Sequence, residues 1–416
     1  MKPFFSNIFL NTIIQLIVIA FLVSCQDFPP TVKTISATLV TDNSIEVKGQ
    51  ILNNGGKDVY SFGFCISEDT LPTQNDMFYD CITPTTNLNT EFTHQFTDLK
   101  VNTFYHIRAY AINNEGISYG EDIKIKTLAK ALVTTQAATN ITLTEATLHA
   151  FIDPLNSTTE NWFEYWTEGE SIKSTDAIGT SGNISSKITG LTPNKVYQVV
   201  AKAQNERGIT QGEISAFETY AVTDFDGNLY HTVTIGNQTW LRENFKGTHF
   251  LNGDPIANIT DQAQWEAATS PAYCYYNNDP EIGKVYGALY NWYTASDSRG
   301  LISGFHTPTL SELGTLTTYL GGSEITGGKL KEVGFTHWIQ PNKGATNSTN
   351  FTGLPGGART NYGGFTNLGD AGAFWTSTNF PISGAAYSYD LGERSAYLGA
   401  GGNSYYYGFS LRLVKN

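Results

Sequence analysis

Tyr405, Tyr406 and Tyr407 run consecutively near the end of a 416-residue chain, and two other segments, Asn277-Asn278-Asp279 and Arg359 to Tyr362, gather polar and aromatic side chains between Gly-rich stretches. Aromatic rings stack on the apolar faces of sugars, while amides, carboxylates and guanidinium groups hydrogen-bond hydroxyls. These segments are the candidate ligand-binding residues, and the chemistry they suit is glycan recognition. In a strand, at least one of the three consecutive rings must point away from the core. The oxygens of Asn277, Asn278 and Asp279 could also hold Ca²⁺, a hard cation that takes oxygen ligands. The commoner use of such a turn is to satisfy its own backbone.

No catalytic arrangement accompanies them. A Gly-x-Ser-x-Gly elbow and a His-Glu-x-x-His pair are both absent. Asp279 and Glu281 share a turn, and general acid/base work would depend on their mutual geometry. His306 stands two residues before Pro308 with no second ligand at metal spacing, so it reads as structural. Asp224-Phe-Asp226-Gly227-Asn228 begins like a calcium loop, but Ile235 occupies the twelfth position, where that loop needs Glu. A hairpin turn fits better. The four Cys lack paired CxxC spacing. No catalytic residue, metal site or resident cofactor is expected. A formal charge of -13 without a basic block disfavours nucleic acid as a partner.

The elements that must carry these residues begin after an address segment. Lys2 precedes an apolar run, Ile13 to Val23, shorter than a membrane span. It ends in Leu22-Val23-Ser24-Cys25, which resembles the bacterial lipoprotein signal box and implies lipid attachment at Cys25. Multiple acyl chains anchor a protein stably. The resemblance implies an outer-membrane, lipid-anchored and cell-surface-exposed protein, with 1–25 as signal peptide.

A repeat follows. Leu99, Tyr105, Ala109, Ala111, Asn113 and Gly116 recur as Leu191, Tyr197, Ala201, Ala203, Asn205 and Gly208, a constant offset of 92. The pattern Tyr-x-Ile/Val-x-Ala-x-Ala alternates as a half-buried strand does, and Asn-x-x-Gly supplies a turn. Leu followed by five residues and Tyr resembles the tyrosine corner of β-sandwiches. The two units, 26–130 and 131–220, resemble fibronectin type III domains, so two all-β sandwiches are expected, serving as spacers. Cys65 and Cys81 could pair in an oxidising compartment, or Cys65 could be a buried free thiol. Trp162, Phe163, Glu164, Tyr165 and Trp166 read as a strand with core aromatics and an exposed one.

From residue 221 the composition shifts: this part holds five of the seven Trp and 15 of the 23 Tyr, with frequent Gly pairs. Thr309-x-x-Glu312 is a capping box, and Leu310, Leu313, Leu316 and Leu320 before Gly321-Gly322 complete a predicted helix. Ile235-Gly-Asn-Gln-x-Trp240, Gly287-Ala-Leu-Tyr-Asn-Trp-Tyr293, His306-x-Pro-Thr309-x-x-Glu312, Gly327-Gly-Lys-Leu-Lys-Glu332, Asn342-x-Gly-Ala-Thr-Asn347, Phe351-Thr-x-Leu-Pro-Gly-Gly357, Phe374-Trp-Thr-Ser-Thr378 and Gly408-Phe-Ser-Leu-Arg412 occur in order. This series resembles the Fibrobacter succinogenes major paralogous domain over 221–416. The resemblance implies an α+β, C-type-lectin-like fold related to formylglycine-generating enzymes. Those enzymes need two late Cys, and no Cys follows Cys274 here. Leu413 stands where many members have Cys, which implies that Cys274 is free.

The whole is expected to be a non-enzymatic surface lipoprotein whose stalk presents a lectin-like head to a glycan or surface protein. A structural or assembly role in the envelope and a polysaccharide-active enzyme are the alternatives.

Overall fold

The computed structural model describes residues 27–81, 89–155, 159–179 and 181–416. Cys25 and the expected signal peptide lie outside them. No helix among the described residues is long and apolar enough to cross a membrane.

The first unit contains β1 (Thr31–Thr41), β2 (Ser44–Asn53), β3 (Ser61–Ser67), β4 (Met77–Cys81), β5 (Glu91–Phe96), β6 (Phe104–Asn113), β7 (Gly116–Tyr119) and β8 (Ile123–Lys126). Sheet β1-β2-β5 packs on sheet β4-β3-β6-β7, with β8 against β6. The second unit repeats the plan with β9 (Leu132–Thr139), β10 (Glu145–Asp153), β11 (Glu160–Thr167), β12 (Lys173–Ser174), β13 (Gly182–Thr189), β14 (Val196–Asn205), β15 (Gly208–Gln211) and β16 (Ser215–Glu218). Here β13-β10-β9 packs on β12-β11-β14-β15, with β16 against β14.

The repeated motif sits on β6 and β14. Tyr105, Ile107, Ala109 and Ala111 face one core, and Tyr197, Val199, Ala201 and Ala203 the other. Each Tyr hydroxyl accepts a backbone N–H five residues upstream, from Lys100 at 3.0 Å and from Thr192 at 2.9 Å. Thr127 and Thr219, also 92 apart, donate their hydroxyls to the Lys100 and Thr192 carbonyls at 2.7 and 2.8 Å. On β11, Phe163 and Tyr165 point inward while Trp162 and Trp166 are half-buried on the outer face.

Cys65 lies opposite Phe78 and Cys81 opposite Phe62 in the β3–β4 ladder. At ~3.3 Å per residue their Cα atoms are about 10 Å apart, beyond disulfide reach. Cys65 is a buried free thiol, and burial pushes its pKa up to about 12.

The C-terminal part is again mostly strands: β17 (Val222–Thr223), β18 (Leu229–Tyr230), β19 (Thr232–Ile235), β20 (Gln238–Leu241), β21 (Ala257–Asn258), β22 (Ala272–Cys274), β23 (Leu289–Tyr290), β24 (Phe305–His306), β25 (Gly356–Arg359), β26 (Phe365–Leu368), β27 (Ala371–Asn379), β28 (Ala385–Gly392), β29 (Leu398–Ser404) and β30 (Val414–Lys415). Five short helices join them: α1 (Gln262–Glu266), α2 (Pro280–Tyr286), α3 (Trp292–Ala295), α4 (Leu310–Tyr319) and α5 (Ser323–Leu330). The largest sheet runs β26-β25-β27-β28-β29, and a second, β19-β20-β30-β24, pairs the beginning of this part with its end. Helix α4 carries the predicted capping box with both reciprocal bonds, and buries Leu313 and Leu316.

Long loops leave carbonyls without ladder partners, and buried cations satisfy them. Arg412 is fully buried; its guanidinium donates to the carbonyls of Leu241, Arg242, Phe351 and Thr352 and to Asn244 Oδ1. Lys331 is equally buried, and its ammonium donates to Lys343, Gly392 and Ser395 carbonyls at 2.8–2.9 Å. Motifs distant in sequence therefore converge on two cations.

Candidate functional site

Tyr405 and Tyr406 lie in a turn after β29 rather than within a strand, and Tyr407 follows. The expected fully outward ring is not found: all three are half-buried. Tyr405 stacks on Trp292 with centroids 4.3 Å apart, and its hydroxyl donates to Asn379 Oδ1 at 2.5 Å. Tyr293 sets its ring edge-on to Tyr405 and Tyr406, at 5.7 and 6.2 Å. Burial, then the hydrogen bond with Tyr406, pushes the Tyr293 phenol up to about 12. Tyr407 packs on Phe409 at 5.3 Å. The result is an aromatic shelf shared by Tyr293, Tyr405 and Tyr406, with Trp292 behind it. Sequence reasoning did not single out Tyr293 or Asn379 as site residues; the run Gly287–Tyr293 was the signal for the first.

Helix α3 connects that shelf to a cleft of about 420 Å³. Thr294, Ala295 and Ser296 form one wall, the loop through Gly304 another, and His306, Thr307, Ser377 and Asn416 the rest. Ser377 is two residues from Asn379, which holds Tyr405. The charged side chains lining the cleft are engaged by neighbours. Arg299 donates to Asp297 through Nε and Nη2 at 2.9 and 2.8 Å and to Asp254 through Nη1 at 3.0 Å, with its guanidinium 3.8 Å from the Phe250 ring centroid. The Arg299 hydrogen bond holds the Asp297 carboxyl below the usual range. His306 Nε2 meets Glu312 Oε1 at 2.9 Å and Nδ1 meets Asn416 Oδ1 at 2.7 Å, so both ring nitrogens are engaged. Burial works against the Glu312 charge, but hydrogen bonds from Thr309 and His306 outweigh it and hold the carboxyl below its ordinary value. Ser296, Ser298, Thr307 and Ser377 also line the cleft, and of their hydroxyls those of Ser296 and Ser377 donate to the Trp292 and Pro308 carbonyls at 3.1 and 3.4 Å. A hydroxyl whose proton is engaged in this way still offers its oxygen as an acceptor.

Asn277 and Asn278 are exposed, both in the left-handed region at φ 52° and 58°. Asp279 caps α2, its Oδ1 accepting from Glu281 N at 2.8 Å, so that oxygen serves the backbone. Glu281 pairs with Lys284 at 2.7 Å on the surface. Among the described residues no group of three His, Cys, Asp or Glu could hold a metal.

Arg359 departs from the expectation of a ligand-facing side chain. It is buried, donating to the carbonyls of Ile259, Thr260, Asp261 and Gly363 and stacking 4.4 Å from the Trp265 centroid. Its surroundings carry Trp and Phe faces and unpaired carbonyls, which a guanidinium satisfies better than water can. Tyr362, in the same segment, is 71% exposed. Thr260 O accepts from both Arg359 and Asn278 (3.0 and 3.2 Å), and the Trp265 indole donates to Tyr406 O at 2.7 Å. Arg359 and Trp265 thus tie the three predicted segments to one framework without themselves facing solvent.

Asp224 and Asp226 are consumed locally. Asp224 accepts from Asn228 N, Asn228 Nδ2 and the Tyr230 hydroxyl, and Asp226 from Thr248 N at 2.5 Å, with His249 Nδ1 also at 2.5 Å from it. The segment closes the β17–β18 hairpin. Cys274 is free and buried, with burial pushing its thiol up to about 11. Cys65 and Cys274 are therefore poor nucleophiles.

Among solved structures, the chain is similar to the sensor domain of the anti-sigma factor RsgI4 in Pseudobacteroides cellulosolvens, at 20% identity and a TM-score of 0.20, covering 23% of this chain and 98% of that one. It is also similar to the chicken CNTN1 FN1-FN3 domains at 16% identity and a TM-score of 0.24, covering 47% of this chain and 68% of that one. No curated protein matches the sequence. Residues 233–415 match the family model of the Fibrobacter succinogenes major domain.

Proposed function

We propose that this chain is a non-enzymatic, lipid-anchored protein of the outer membrane, exposed at the cell surface. Two fibronectin type III-like units form its stalk, and a C-type-lectin-like head binds a neutral glycan in adhesion. The observation that carries this reading is the juxtaposition around α3 of an aromatic shelf and a hydroxyl-lined cleft whose charges are already paired. A polyhydroxylated ligand needs donors and acceptors together with an apolar stacking face, and it gains nothing from an unpaired charge.

Two experiments test it. Glycan-array binding by the full chain should be weakened by Tyr406→Ala by about 1 kcal/mol, the usual scale for an aromatic contact, with unchanged circular dichroism. Failure of the unaltered chain to bind any glycan favours an envelope-assembly role. Separately, Cys25→Ala should release soluble protein from membranes. A variant that stays membrane-bound with normal processing removes the lipid anchor.

A further inference from the structure

A stalk and a head joined by a free linker would show a run of unpaired backbone between them. Here consecutive residues are all paired. Thr219 N donates to Lys195 O at 3.0 Å, Tyr220 N to Thr142 O at 3.1 Å, and Ala221 N to Tyr230 O at 2.8 Å. The first two bonds belong to the second sandwich and the third to the head, so the chain passes from one to the other with no slack.

Side chains then close the joint from both sides. Asn194, held at φ 55°, accepts from Thr232 N of the head through Oδ1 at 3.0 Å. Arg242 Nη1 meets Glu218 Oε2 at 2.6 Å, with both side chains less than a third exposed. The Tyr220 ring lies 4.2 Å from that of His231. His231 is itself fixed by Glu243, which accepts from its backbone N at 2.9 Å and lies 2.7 Å from its Nδ1.

We infer that the second sandwich and the head form one rigid body, locked by Asn194, Glu218, Tyr220, His231, Arg242 and Glu243. Domains in one chain ordinarily move relative to each other unless their interface is large. A tether without slack makes each contact across this joint intramolecular, at high effective concentration. A few directional contacts of different kinds then suffice to fix an angle. The head's ligand surface is consequently presented at a set orientation to the second sandwich, whatever that ligand is.

The test is a distance distribution by double electron–electron resonance on the full chain. Nitroxide-bearing noncanonical residues replace exposed Ser185 on β13 and Thr315 on α4. A single narrow peak is expected. The double variant His231→Ala, Arg242→Glu should lose it to a broad distribution, while the charge swap Glu218→Arg, Arg242→Glu should keep it. A broad distribution in the unaltered chain overturns the proposal, and that measurement decides alone should a variant not fold. A peak that stays narrow in the double variant, or is lost in a folded charge swap, equally overturns the assigned lock.

Discussion

Arg359, Arg412 and Lys331 are buried and, among the described residues, hydrogen-bond to no carboxylate, which would be costly if their donors were unmet. Backbone carbonyls meet them instead, so each cation holds several loop segments at once. Such a residue looks like a ligand contact in sequence, because a charged side chain in a polar loop usually faces water. Only the surrounding carbonyls reverse that reading for Arg359. Glu312 gives the complementary case of an anion held by the chain. Its folded carboxyl lies below the ordinary value of 4.5, so below that pH the unfolded chain binds more protons and stability falls with acid. The contribution is present above the unfolded value and is lost as pH drops through the folded one. Glu312→Gln should therefore flatten the acid limb of the stability–pH curve, read by urea unfolding between neutral pH and the acid range. An unchanged acid limb would mean that His306 and Thr309 do not stabilise the charged form.

At the scale of elements, the sandwiches were legible because a strand with one buried face writes its period directly into sequence. The offset between Tyr105 and Tyr197 carried the corner geometry with it, down to the partner five residues upstream. Tyr105→Phe and Tyr197→Phe should each lose one hydrogen bond, and each should cost about 1 kcal/mol, measured by chemical denaturation. Very unequal costs would show that the two corners, alike in sequence, differ in energy. The helix α4 was equally legible, since its cap, apolar spacing and Gly stop are all local. The aromatic shelf was not. Tyr405 and Tyr406 lie in a turn, where Tyr405 stacks on Trp292, over a hundred residues earlier, and no local pattern records that contact. The cleft was missed for the same reason: its hydroxyls come from segments near 296, 307 and 377, and each segment alone carries no signal.

At the scale of the molecule, the apolar clusters divide by sequence. One draws on Val32 to Ala111, a second on Ala131 to Phe217, and the three of the head on Tyr230 to Val414. Among the described residues no core residue is shared across residue 220, so a fragment of 221–416 should unfold in one cooperative transition. The joint adds to that stability without being required for it. A fragment of 131–416 keeps Asn194, Glu218 and Tyr220, and its head should unfold later. Because the Arg242–Glu218 side chains remain partly exposed, the difference should be modest, about 1 kcal/mol or less from that pair. Calorimetry of the two fragments separates the contributions. An aggregated 221–416 fragment, rescued only by including 131–220, would mean that the head's core is completed by the sandwich. Equal head transitions in both fragments would mean that the joint sets an angle while contributing no measurable stability.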